Sequence, residues 1–189
     1  MLLLVITVLA GCGKYNSLVE ANATCDEKWA NIETQLQRRY DLIPNLVSTV
    51  KAQASYEQET LQKVIEARAS ATQIRMTADD LSDEGKMAAF TRAQSQLQGS
   101  LSRLMMTQEK YPDLKANQAF HDLTIELEGT ENRIARAREE YNAAVKTYNA
   151  KQLEVGGSIV NKATGHPFKQ RAYFTASVEA QTTVPKVTF

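Results

Sequence analysis

The first residues able to do chemistry lie at the start of the chain, where an uncharged apolar run from Met1 ends in Leu9-Ala10-Gly11-Cys12. That tetrapeptide reads as a lipobox. In bacterial lipoproteins the thiol after the small pair accepts a diacylglyceryl group, the preceding segment is removed, and the new N-terminus is held in the bilayer. Cys12 is therefore the expected lipidation site. The run lacks the Lys or Arg that normally opens a signal segment, and Met1 to Gly13 is shorter than the ~20 apolar residues a helix needs to cross a hydrocarbon core. Two other readings stand beside the lipobox: the end of a longer transmembrane anchor, and a buried N-terminal segment. The first charges beyond it, Lys14, Glu20, Asp26 and Glu27, form no basic cluster, which favours an extracytoplasmic body.

Elsewhere the chemistry is sparse. His121 and His166 lie on different segments, and neither has a metal-ligand neighbour at useful spacing. The stretch Asp79 to Glu84 offers carboxylates that could bind calcium weakly, but it lacks the pattern of an EF-hand loop and reads as a solvated turn. No Gly-rich phosphate loop or nucleophile elbow is present. With 22 basic and 22 acidic residues and no basic block, the chain carries no footprint for nucleic acid. Two cysteines make no disulfide framework, and Cys25 reads as a small buried apolar residue on a helix face. No catalytic, cofactor or metal site is expected, and the chain reads as a protein that is not an enzyme.

The elements that would position any site are helices. From Leu18 onward the sequence is poor in Gly and Pro and rich in Ala, Gln, Glu, Leu, Lys and Arg. Leu18, Cys25, Trp29, Ile32 and Leu36 recur at helical spacing, and Ile43, Leu46, Val47, Val50, Ala54, Leu61, Val64 and Ile65 continue the stripe. Asp41-Leu42-Ile43-Pro44 lies between them, and the Pro predicts a break or kink near Tyr40 to Asp41. From Ala71 to Gly85 the stripe is lost, which predicts a connection. Met87, Phe90, Gln94, Leu97, Leu101, Leu104 and Gln108 then alternate three and four apart, a coiled-coil-like seam. Tyr111-Pro112-Asp113 ends it. A last helix is predicted from about Ala116 to Leu153, with Phe120, Leu123, Leu127, Ile134, Ala137, Tyr141, Val145 and Tyr148 facing inward. Such rods bury their stripes only by packing on one another. The predicted fold is all-α, an elongated antiparallel helical bundle of the four-helix type with an N-terminal membrane anchor. Residues 1–12 form the signal or anchor, 15–174 the bundle and 175–189 a flexible tail. Within the bundle unit, Phe168 to Phe174 carries three aromatics that dock on the helices or present a patch to a partner.

The same residues carry a resemblance. Tyr15-Asn16-Ser17-Leu18-Val19, Trp29 with Ile32-Glu33 and Gln37-Arg38-Arg39, and Asp41-Leu42-Ile43-Pro44-Asn45-Leu46-Val47 resemble the N-terminal signature of the LemA family. Ala67-Arg68, Glu109-Lys110-Tyr111-Pro112-Asp113-Leu114-Lys115-Ala116-Asn117, Glu131 with Ile134-Ala135 and Ala137-Arg138, and Tyr141-Asn142 with Tyr148-Asn149 follow in the family's order. The resemblance spans Tyr15 to about Phe174. It implies a membrane-attached antiparallel helical bundle of unsettled biochemical role, and it supplies no catalytic residues. Two departures stand out: a lipobox replaces the family's longer transmembrane helix, and Val155-Gly156-Gly157 replaces a Pro-containing stretch after the last helix.

Within that signature Arg68, Glu109, Glu131 and Arg138 each lie beside the apolar stripe of their helix, so they are expected at the edge of the core, where charges need partners. An interhelical ion-pair network that fixes register is the expected role, with a ligand pocket as the alternative. Asn142 and Asn149 are expected to hydrogen-bond across helices. The functional expectation is a membrane-anchored bundle of the bacterial cell envelope with an interaction or scaffold role, attached through lipid or helix, with an unknown protein partner, no nucleic acid, and room for a homo-oligomer. Its alternative is a ligand-binding or chaperone-like accessory of a membrane protease. The expected location is extracytoplasmic, the alternative a single-pass membrane protein.

Overall fold

A computed structural model describes residues 2–53, 58–165 and 168–175, with side chains for all of these except 2–12, 53 and 155. The Cys12 side chain, His166 and the tail from residue 176 therefore lie outside the described residues. The chain is all-α among the described residues. Helix α1 spans Leu2–Gln53, α2 Gln58–Gln73, α3 Glu84–Met106, α4 Pro112–Lys115, α5 Gln118–Leu153 and α6 Val155–Ala163, with single 3₁₀ turns at Asp80–Ser82 and Thr107–Lys110. No helix among the described residues is long and apolar enough to cross a membrane.

Local chemistry sets the ends. Asp83 caps α3 by accepting from the amides of Gly85 and Lys86, and Asn117 caps α5 by accepting from Phe120 N. Pro112 occupies the first turn of α4, where its missing N–H costs nothing. Gly165 follows α6 at φ 63°, the left-handed conformation that a glycine takes up without strain.

Two antiparallel pairs build the core. Along α1 and α5, residue numbers rise on one helix as they fall on the other: Lys14 meets Glu154 at 2.8 Å, Lys28 meets Glu140 at 3.4 Å and Arg38 meets Glu126 at 2.8 Å. These rungs are solvent-exposed and add little stability. The apolar stripes hold the pair. Leu18, Cys25, Trp29, Ile32, Leu36, Ile43 and Leu46 of α1 are at most 5% exposed and share one core with Phe120, Leu127, Ile134, Tyr141, Val145 and Tyr148 of α5. The second pair is α2 with α3, and the predicted seam is buried at Met87, Phe90, Gln94, Leu97, Leu101 and Leu104. Gln108 does not complete it; it falls in the 3₁₀ turn, and Thr107 is buried instead.

Two boundaries differ from the sequence expectation. Of the break or kink expected near Tyr40 to Asp41, the break does not occur: α1 continues through it and carries Pro44 in its interior. The stripe read from Ile43 to Ile65 is divided between α1 and α2, and Ile65 is exposed. Helix α2 turns back along α1, so that Arg68 and Ala71 both reach Tyr40.

After α6 the chain returns along the bundle as an extended strap. Phe168 is partly buried, Arg171, Ala172 and Phe174 are buried, and Tyr173 faces solvent. The strap completes an aromatic cluster in which Trp29 lies 5.4 Å from Phe90 and 5.3 Å from Tyr141, and Phe90 lies 5.9 Å from Phe174, between ring centroids.

Candidate functional site

Arg39 is the centre of the polar chemistry. It falls three residues after Leu36 and four before Ile43, so the helical period that buries those residues buries Arg39 too, at 1% exposure. A guanidinium out of water requires acceptors. Its Nη1 donates to both carboxylate oxygens of Glu131, at 3.1 and 3.4 Å, and its Nη2 donates to Gln94 Oε1. Gln94 Nε2 donates in turn to the Tyr40 hydroxyl at 2.7 Å, and that hydroxyl donates to the Ala71 carbonyl at 3.4 Å. Arg68 closes the layer by donating from Nε to the main-chain oxygen of Tyr40 at 3.0 Å. The layer thus draws side chains from α1, α2, α3 and α5. Most of its capacity is used internally, and Arg39 Nε is buried without a hydrogen-bond partner.

Of the charged residues singled out in the sequence, Glu131 and Arg68 lie in this layer, and Arg138 stands beside it over the ring of Phe174, 4.1 Å from the centroid. Burial, then the neighbouring Arg39, push the Arg138 guanidinium below its ordinary value, with Glu131 opposing them. Glu109 is elsewhere, on the surface, paired with Lys115 at 2.9 Å. Sequence reasoning passed over Arg39, Tyr40 and Gln94 as members. The signal was present: Arg39 occupies a stripe position of α1 and Gln94 a seam position of α3, where a polar side chain must find a buried partner.

A second constellation holds the strap. Asn149 Oδ1 accepts from Arg171 N at 2.9 Å and its Nδ2 donates to Arg171 O at 3.0 Å. Asn142 repeats this on Phe174, with distances of 2.8 and 2.9 Å. These asparagines therefore bond to extended backbone and not to another helix. The reason is geometric. A side-chain amide carries the donor and acceptor of a peptide group, and seven residues of helix advance ~10.5 Å, close to the ~10 Å of three extended residues. Tyr148 and Tyr141 donate to Lys169 O and Ala172 O at 2.9 and 3.1 Å, and Ala172 N donates to Leu81 O at 2.8 Å. Arg171 pairs with Asp26 at 2.7 Å and donates to Asn22 at 3.0 Å.

The other candidate chemistry is structural. His121 is exposed. Asp80 accepts from the Thr77 amide and hydroxyl and pairs with Lys86, which pulls its carboxyl down to about 2. Cys25 is fully buried, and burial pushes its thiol up to about 11. Among the described residues no group of His, Cys, Asp and Glu could hold a metal ion.

Residues 28–189 match the model of the LemA family. Magnetosome protein MamQ 2 of Paramagnetospirillum magneticum is 27% identical over 177 residues, covering 85% of this chain and 64% of the relative. Magnetosome protein MamQ of Magnetospirillum gryphiswaldense is 28% identical over the same length and coverage. The chain thus spans somewhat less than two thirds of these relatives' length. Arg39, Arg68 and Glu131 of the signature lie in the polar layer and Asn142 and Asn149 hold the strap, and with the family match extending over most of its length the chain belongs to the LemA family.

Proposed function

We propose that the protein is a lipid-anchored scaffold of the bacterial cell envelope, a four-helix-type bundle that holds partners near a membrane and carries out no catalysis. The observation that supports this most is how the polar residues of the core are used: Arg39, Arg68 and Glu131 of the signature, with Tyr40 and Gln94, are engaged with one another or with backbone. A network so committed fixes helix register and has little capacity left for turnover. Attachment is through Cys12, because a diacylglyceryl group places two acyl chains in the bilayer, enough for stable anchoring without a spanning helix. The relatives' naming for the magnetosome supports a membrane-associated setting in bacteria. The bundle is on the extracytoplasmic side.

The test is mass spectrometry of the mature N-terminus, together with fractionation of Cys12→Ser. A diacylated Cys12 and release of the variant into the soluble fraction are expected. An unmodified Cys12 preceded by residues 1–11 would sink the anchor. Crosslinking in intact cells followed by identification of captured proteins tests the scaffold role, and absence of any partner in stoichiometric amount counts against it.

A further inference from the structure

Arg138 is a half-buried cation whose attractive carboxylate is already taken. Glu131, the charge that favours its ionised form, is paired with Arg39, and the direct contact of Arg138 is the face of Phe174. Beside it a cavity of about 50 Å³ opens between α3 and α5, lined among others by Arg39, Gln94, Ser95, Gln98, Glu131 and Arg138. Two guanidiniums and one carboxylate leave the lining one positive charge in excess. Arg138 itself makes no ion pair among the described residues and is left to the face of Phe174. A cation removed from water in this way is stabilised by an anion, and the planar guanidinium fork matches a carboxylate. Size limits the ligand. One water occupies ~30 Å³ of the liquid, so the cavity admits a group of a few atoms, with the rest of the molecule leaving past the exposed Gln98 and Ala135.

We propose that this cavity is a carboxylate-binding site, with Arg138 as counter-ion and Ser95 and Gln98 at the mouth. Two sources present the same chemistry. One is this chain's own Glu179, the single acidic side chain after Phe174, and the other is a carboxylate of a separate molecule.

Thermal melts of the full chain in acetate against chloride at constant ionic strength test the site. Acetate should raise the melting temperature saturably, by ~2 °C or more well above its dissociation constant. Arg138→Gln should weaken the response at least tenfold, and Arg138→Lys, which keeps charge and stem but loses the fork, should weaken it several-fold while preserving the fold. Glu179→Gln separates the sources. If Glu179 occupies the site, this variant melts lower than the native chain and responds to acetate at lower concentration. If the carboxylate comes from elsewhere, it melts and responds like the native chain. An acetate response no different from chloride in both the native chain and Glu179→Gln, or one unaltered by either Arg138 substitution, overturns the proposal.

Discussion

Arg68 Nε donates to the main-chain oxygen of Tyr40 at 3.0 Å, and Tyr40 is the residue whose carbonyl Pro44 leaves without a helical donor. In an unbroken α-helix the amide four residues on would serve it, and Pro has none. A side chain from α2 supplies the missing hydrogen bond, which explains how α1 runs through Pro44 uninterrupted. It also gives the signature Arg68 a physical duty. Arg68→Ala should destabilise the fold by ~1–2 kcal/mol through the stranded carbonyl. In a Pro44→Ala background, where the backbone amide is restored, the same substitution should cost distinctly less. Urea melts of the four-member cycle measure this, and equal costs in both backgrounds would refute the pairing.

Arg39 and Glu131 form the central charge pair of the bundle, with side-chain exposures of 2% and 21%. Removing Arg39 as Ala strands Glu131 and Gln94 and should cost ~3–5 kcal/mol. Replacing both partners by Met and Leu should recover much of that loss. Chemical denaturation of the two variants is the measurement, and a double variant less stable than Arg39→Ala would count against an ion pair whose main cost is desolvation.

The strap depends on two asparagines. Asn142→Ala and Asn149→Ala each remove a donor and an acceptor from strap backbone, so each should cost ~1–3 kcal/mol. Hydrogen exchange gives the more specific result. Protection should fall at Phe174 for Asn142→Ala and at Arg171 for Asn149→Ala, while the α1 and α5 interior keeps its protection.

Leu97 and Leu101 are 0% and 1% exposed at the middle of the α3 seam. Either residue changed to Asp loses a buried side chain worth ~2–5 kcal/mol and adds a carboxylate with no partner, so the bundle should unfold. Circular dichroism reads it directly, and unchanged melting temperatures would contradict the observed register.

Stability should fall at both ends of the pH scale. The Asp80 carboxyl is depressed to about 2 from an ordinary 3.8, chiefly by its hydrogen bond with Lys86, so the unfolded chain takes up this proton first. Its contribution is present above 3.8 and lost as pH falls toward 2. Cys25 has the opposite sign. Burial raises its thiol to about 11 from 9.0, so the unfolded chain loses that proton first and stability drops as pH rises across this window. Burial raises Tyr141 and Tyr148 as well, and both add to the alkaline loss. Thermal melts across the range test the assignment: Lys86→Met should lower stability at neutral pH and flatten the acid limb, and Cys25→Ala should flatten the alkaline limb.

The helices and their inward faces follow from the sequence because helical period is local: the spacing of Trp29, Ile32 and Leu36, or of Leu97, Leu101 and Leu104, already selects the buried side. The docking of Phe168 to Phe174 was likewise legible from its aromatics, and the membership of Glu131 and Arg68 at the core edge from their position beside a stripe. What only the tertiary structure decided was partnership. Pro44 announces a break until a side chain from another helix satisfies Tyr40. In the sequence Arg39 is one of two adjacent arginines with no partner in view, until α3 and α5 bring Gln94 and Glu131 to it, residues 55 and 92 positions away. Asn142 and Asn149 show a seven-residue spacing that any neighbour could use, and the return of the strap assigns them to extended backbone. Period is a property of one helix, whereas a hydrogen bond between distant residues exists only once the helices are assembled.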